Sequence, residues 1–185
     1  CLAAGIEMDK PSVRIARLEE AIAVVQGLLS GGPCTFEGEH YSLQDSPALP
    51  KPTQAQVPVI VGGGGPKRTP EIAARFATEF NIGFQPEAVL AEKIDGVKAA
   101  AQRLGRDPKS LKYSVAVTTF VADNETDLLR RGADAGRTPE QLRGEANVWG
   151  NAEQAAEKVK RLVDLGAERI YFQLLNPRDL DLIEY

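Results

Sequence analysis

Cysteine is scarce: the 185-residue chain has two, Cys1 and Cys34. That is too few for a disulfide framework and fits a reducing, cytoplasmic setting. Histidine is scarcer still, with His40 alone, and no His/Cys cluster has the spacing of a zinc site, so no metal is expected. Positive charge is not in excess: 22 Lys and Arg stand against 26 Asp and Glu, a formal net charge of −4. This argues against a partner with a nucleic-acid backbone to neutralise. No apolar run approaches the roughly 20 residues that cross a bilayer, so no membrane partner is expected. An initiator Met is missing too, and Cys1-Leu2-Ala3-Ala4-Gly5 is not a signal segment. A mature lipoprotein also begins at Cys, but no polar tether follows; the expected reading is a fragment or processed piece of a longer protein. With 43% hydrophobic and 26% charged residues, what is present suits one globular domain with a real core.

Ile15, Leu18, Ile22, Val25 and Leu29 recur at helical steps, which predicts an amphipathic helix over 13–30, stopped by Gly31-Gly32-Pro33. A hairpin and loop follow over 31–56: Thr35, Phe36, His40, Tyr41 and Leu43 flank Glu37-Gly38-Glu39, and prolines 47, 50, 52 and 58 mark an extended stretch. Strands are expected near 57–61, 79–84, 113–122 and 170–175. The first is wholly apolar, as for a strand buried on both faces. Helices alternate with them at 70–77, 86–104 and 152–165, the last opened by the capping pair Asn151 and Gln154 and closed by Gly166. A polar stretch fills 123–150, and helical turns are expected from Pro177 to Tyr185. Alternation of this kind predicts an α/β fold with parallel strands and right-handed helical crossovers.

The strongest chemical signal is Gly62-Gly63-Gly64-Gly65-Pro66-Lys67-Arg68-Thr69, set between a strand and a helix. Free N–H groups and the helix dipole there favour an anion, glycines permit close approach, and Lys67 and Arg68 add charge. The spacing is neither that of a Walker loop nor of a dinucleotide fingerprint. Two readings stand: a phosphate cradle, which the four glycines and two cations favour, or a tight turn that needs positive φ. Other candidates are weaker. His40 reads as a turn residue, Asp123, Glu125 and Asp127 as the start of a helix, and Trp149 as a core contact rather than a stacking face. Gln173 and Asn176 fall where ligands meet the C-terminal ends of parallel strands.

Several segments, in order, resemble a known family: Arg14-Ile15-Ala16-Arg17-Leu18-Glu19-Glu20-Ala21, Phe36-Glu37-Gly38-Glu39-His40-Tyr41, Pro50-Lys51-Pro52, Val59 to Thr69, Ala73 to Asn81 and Leu104-Gly105-Arg106-Asp107-Pro108. Together they are similar to the luciferase-like monooxygenases, and within them to the branch using the deazaflavin coenzyme F420 in place of FMN. The resemblance implies a (β/α)8 TIM barrel, of which this chain is the C-terminal half with strands five to eight. It implies a flavin or deazaflavin held at the C-terminal strand ends, with Gly62 to Thr69 near its phosphate and Asn81 close by. The implied reaction is hydride transfer to or from a small organic substrate. No catalytic residue is assigned within this half. An oligomer, a homodimer in the simplest case, or the missing N-terminal half-barrel is the expected partner. The competing reading is a non-catalytic oligomeric half-barrel remnant or phosphate-ligand binding module.

Overall fold

The computed structural model describes Gly5 and residues 8–184. Cys1, on which the reading of the chain's start rests, and Tyr185 lie outside the described residues. No helix among these is long and apolar enough to cross a membrane. The chain divides into two compact units, Cys1–Val59 and Ile60–Tyr185.

In the first unit, helix α1 (Pro11–Leu28) starts at a proline, which needs no N–H partner at that position. Strands β1 (Cys34–Glu37) and β2 (Ser42–Ser46) pair antiparallel, with Phe36 opposite Leu43 and Glu37 opposite Ser42. The hairpin tip is organised from the helix. The Glu20 carboxylate accepts backbone N–H bonds from Glu39, His40 and Tyr41 at 2.9, 2.9 and 3.1 Å. These donors, that of His40 foremost, hold its carboxyl below the usual carboxylate range. The Lys51 ammonium donates to the carbonyls of Leu28 and Gly32 at 2.9 and 2.8 Å, satisfying acceptors at the end of α1.

In the second unit, strands β3 (Ile60–Gly62), β4 (Glu79–Gly83) and β5 (Lys112–Val121) run parallel in that order. Helix α2 (Arg68–Phe76) connects the first pair, and α3 (Glu87–Arg103) with a 3-10 turn at Pro108–Ser110 connects the second. β5 is long enough to carry two further strands. β7 (Arg169–Gln173) pairs with Ser114–Thr118, and β6 (Asn147–Gly150) pairs with Thr118–Val121, both parallel. Between them lie α4 (Glu125–Asp134), α5 (Pro139–Leu142) and α6 (Ala152–Asp164), and α7 (Leu180–Glu184) follows β7. This is an α/β fold with parallel strands and helical crossovers.

Two features differ from the sequence pattern. The polar stretch 123–150 holds two helices and a strand. Asn124 accepts from the Asp127 N–H at 2.9 Å, and Thr138 with Gln141 forms a full capping box, so short caps start both helices. Strand β3 is shorter than 57–61 and is not buried on both faces: Ile60 is 51% exposed because, among the described residues, β3 pairs with β4 alone. A buried ion pair joins the far end: Arg131 of α4 meets Asp179 at 3.1 Å, donates to the Val121 carbonyl, and Asp179 in turn accepts from the Leu182 N–H.

Candidate functional site at the C-terminal strand ends

Register sorts every strand residue onto one of two faces. Val61, Phe80 and Tyr113 share a row, as do Ile82, Val115 and Ile170. These form the apolar face, continued by Ile72 of α2 and Leu90, Ile94 and Val97 of α3, all 2% exposed or less. Burial there pushes the Tyr113 phenol up to about 12, and its hydroxyl donates to the Pro108 carbonyl at 3.0 Å.

The opposite face is polar. Gly62, Asn81, Ser114 and Arg169 lie in one row, and Thr118 lies beside Gln173. At the N-terminal edge, Glu79 is 5% exposed and its two oxygens are both taken. Arg169 donates to one at 2.6 Å, and the Tyr171 hydroxyl donates to the other at 2.8 Å. Midway, the Asn81 amide donates to Ser114 Oγ at 2.9 Å. Near the C-terminal edge the link thins to Thr118 and Gln173 at 3.4 Å. Beyond it the same side of β5 becomes apolar: Phe120 pairs with Trp149, and Leu128 of α4 and Leu142 of α5 cover Phe120.

The glycine loop stands at the C-terminal end of β3. Gly62 to Arg68 are all exposed, and Thr69 is buried. Gly63 has φ +135°, a conformation closed to other residues. A Cβ at Gly65 would strike Thr69 Oγ1 at 2.7 Å, whereas a Cβ at Gly64 meets nothing within 4 Å. Helix α2 begins after Lys67, whose side chain makes no capping hydrogen bond. The loop thus combines glycine backbone, open space at Gly64, a helix start without a side-chain cap and two basic residues, Lys67 and Arg68, an arrangement that fits a phosphate. Gly62 and Asn81 are ladder partners, so the structure brings Asn81 beside the loop's base.

The weaker candidates take structural places. His40 contributes its backbone N–H to Glu20. Glu125 pairs with Arg143 at 2.6 Å, and Trp149 packs on the Phe120 cluster with the Arg143 guanidinium 5.6 Å from its ring centroid. Asn176 accepts from the Arg178 N–H at 3.1 Å. Among the described residues, no group of three or more His, Cys, Asp or Glu side chains is placed to hold a metal ion. An apolar groove of about 330 Å³ lies on the helix side, lined by residues such as Val121, Val159, Phe172 and Ile183. It faces away from the row of Asn81 and Thr118.

The sequence pattern of the luciferase-like monooxygenases matches residues 4–135, well over half of the chain. The chain belongs to the luciferase-like monooxygenase family. The curated relatives of this family member include an F420-dependent glucose-6-phosphate dehydrogenase of Gordonia bronchialis, 28% identical over 202 residues, 92% of this chain and 58% of the relative. One from Microbacterium testaceum is 28% identical over 127 residues, 67% of this chain and 37% of the relative. The chain therefore spans about half the length of the curated relatives it matches.

Solved structures agree in fold. An F420-dependent secondary alcohol dehydrogenase in complex with an F420-acetone adduct superposes with TM-score 0.76 at 18% identity, over 92% of this chain and 59% of that one. An EDTA monooxygenase from Chelativorans sp. BNC1 gives TM-score 0.76 at 16% identity, over 98% and 60%. In this family member the polar-face residues that composition and spacing miss are Ser114 and Thr118. Ser114 and Thr118 fall four apart in β5 on the row parity of Asn81, a signal visible once the register is known.

Proposed function

We propose that this chain is the phosphate-anchoring C-terminal half-barrel of an oxidoreductase using coenzyme F420, with FMN as the alternative. The family match and the F420-dependent relatives support the cofactor class. The observation that carries the anchoring role is the loop itself: open space at Gly64 beside an uncapped helix start. When bound, the deazaflavin supplies hydride transfer to or from a small organic substrate. This chain's residues bind and orient. Backbone N–H groups along Gly62–Gly65 and the first turn of α2 donate to the phosphate, Lys67 offsets its charge, and Asn81 is fixed by Ser114 next to them.

The test uses the full-length protein, titrated with F420 and with FMN by fluorescence quenching. Gly64 has neither left-handed backbone nor neighbours for a Cβ, so Gly64→Val leaves unfolding unchanged while filling the space a phosphate needs. Loss of cofactor retention is expected. Lys67→Ala weakens binding by about 1 kcal/mol, the scale of one cation near an exposed anion. Undiminished affinity in Gly64→Val makes the loop a plain turn.

The second reading, an oligomeric remnant or phosphate-ligand module, is favoured by the free edges. β3 and β7 each pair with one neighbour among the described residues, and Ile60 and Phe172 are each 51% exposed. Such edges recruit further strands. The 185-residue chain is therefore expected to assemble, either as a homodimer or with the complementary half-barrel. Sedimentation equilibrium at micromolar concentration checks it, and a well-folded monomer rules out both forms of assembly for this piece.

A further inference from the structure

Phe84 sits where its residue type is least expected. The non-glycine residues at positive φ among those described are Asp45, Ala48 and Phe84, at 47°, 45° and 58°. For a bulky aromatic this is an outlier that persists only where the surroundings hold it. The backbone holds it here: β4 ends at Gly83, and the Phe84 N–H still donates to the Ala116 carbonyl at 2.8 Å. The side chain does not enter the core. It is 47% exposed, while Phe80 and Ile82 of the same strand are 1% and 2% exposed. A large apolar ring is thus kept in the open, on backbone suited to glycine, at the strand end where parallel α/β sheets receive ligands.

Register sets its reach from the glycine loop. Gly62 pairs with Asn81, so Phe84 lies three residues further along β4, about 10 Å at the usual rise per residue. We propose that Phe84 is a specificity-determining residue whose ring lies against the flat, apolar part of a ligand whose phosphate rests on Gly62–Gly65. This rests on the phosphate-anchoring reading above. The separation suits a planar ring carried on a short chain from its phosphate, as in F420 and FMN. Contact between an aromatic ring and a flat heterocycle needs only exposed faces, not hydrogen bonds.

The experiment compares Phe84→Gly, Phe84→Leu and Gly64→Val in the full-length protein. It reads thermal unfolding without ligand, affinity for F420 and FMN by fluorescence quenching, and affinity for inorganic phosphate by competition. Phe84→Gly relieves the left-handed strain, so unfolding temperature is maintained or rises, while cofactor affinity falls at least tenfold and phosphate affinity is unchanged. Phe84→Leu keeps apolar bulk and the same backbone class; it folds and binds cofactor with an intermediate loss. Unchanged cofactor affinity in both Phe84 variants, with a lower unfolding temperature in Phe84→Gly, makes Phe84 a packing residue and overturns the proposal. The two readings fail separately. Normal binding in Gly64→Val removes the cradle and the ring contact with it, whereas loss in Gly64→Val beside normal binding in the Phe84 variants removes the ring contact alone.

Discussion

The two faces of the parallel sheet are made of alternating residues of the same strands, yet they follow opposite rules. Val61, Phe80, Ile82, Val115 and Val117 are each 5% exposed or less and lie on the apolar face. Their neighbours Glu79, Ser114 and Thr118 are nearly as buried, at 5%, 1% and 7%, but are polar and each bonded to other groups of the protein. A polar face that is also buried is not a solvent face. Each buried polar group there needs a partner, because an unpaired one costs more than its hydrogen bond contributes. The partners are unevenly supplied along the strands. At the N-terminal edge Glu79 is saturated by Arg169 and Tyr171, whereas at the C-terminal edge Thr118 has one bond of 3.4 Å to an exposed Gln173. The N-terminal edge is closed by the protein's own groups, and the C-terminal edge is less fully bonded.

Consecutive residues of β4 give the sharpest way to break this contrast. Phe80→Ala removes a ring that is 1% exposed and leaves a cavity against α2 and α3, an expected loss of about 3–5 kcal/mol. Asn81→Ala removes one hydrogen bond to Ser114, an expected loss of about 1–2 kcal/mol. Denaturant unfolding of the two variants measures both. Equal losses mean that the polar face carries stability as the apolar face does, and the division into a packing face and a ligand face fails.

How much of this was legible in the sequence depends on how local each signal is. The capping pair Asn151 and Gln154 marks the start of α6, and in the structure each side chain accepts the other's backbone N–H at 3.0 Å. Gly166 ends that helix region at φ +102°. The run 113–122 reads as a strand because β-branched and aromatic residues crowd it. By contrast β6 has four residues, and it is a strand because β5 extends past β4, whose pairing stops at Ala116, and leaves an edge to pair with, a tertiary cause that no window of sequence shows. Which face Asn81 shares with Ser114 needs the register. Glu20 reaches the hairpin tip across 19 to 21 residues, beyond any local pattern. Phe84 carries no outward sign at all, since phenylalanine is not a residue from which left-handed backbone is inferred. The glycine loop was legible as a strand-to-helix turn; that Gly63 is required by its backbone, Gly65 by the Thr69 side chain, and that Gly64 leaves open space, was not.

The smallest effect is expected at the C-terminal edge. Thr118→Val keeps the branched shape of a residue in the middle of β5 and removes only its hydroxyl, whose bond to Gln173 is long. A bond of that length contributes less than about 1 kcal/mol, and valine's fit to a strand offsets part of the loss. Unfolding free energy is therefore expected to change by less than about 1 kcal/mol in either direction, well below the Asn81→Ala loss. The variant sharpens the contrast because it probes a residue 7% exposed, as buried as many core positions, where burial alone would foretell a larger cost. A loss as large as that of Asn81→Ala would show that the polar rows contribute equally along their length, and that the C-terminal edge is as closed as the N-terminal one. A negligible loss shows instead that the hydroxyl is held ready rather than used by the fold, and that the polar face loosens toward the glycine loop and Phe84.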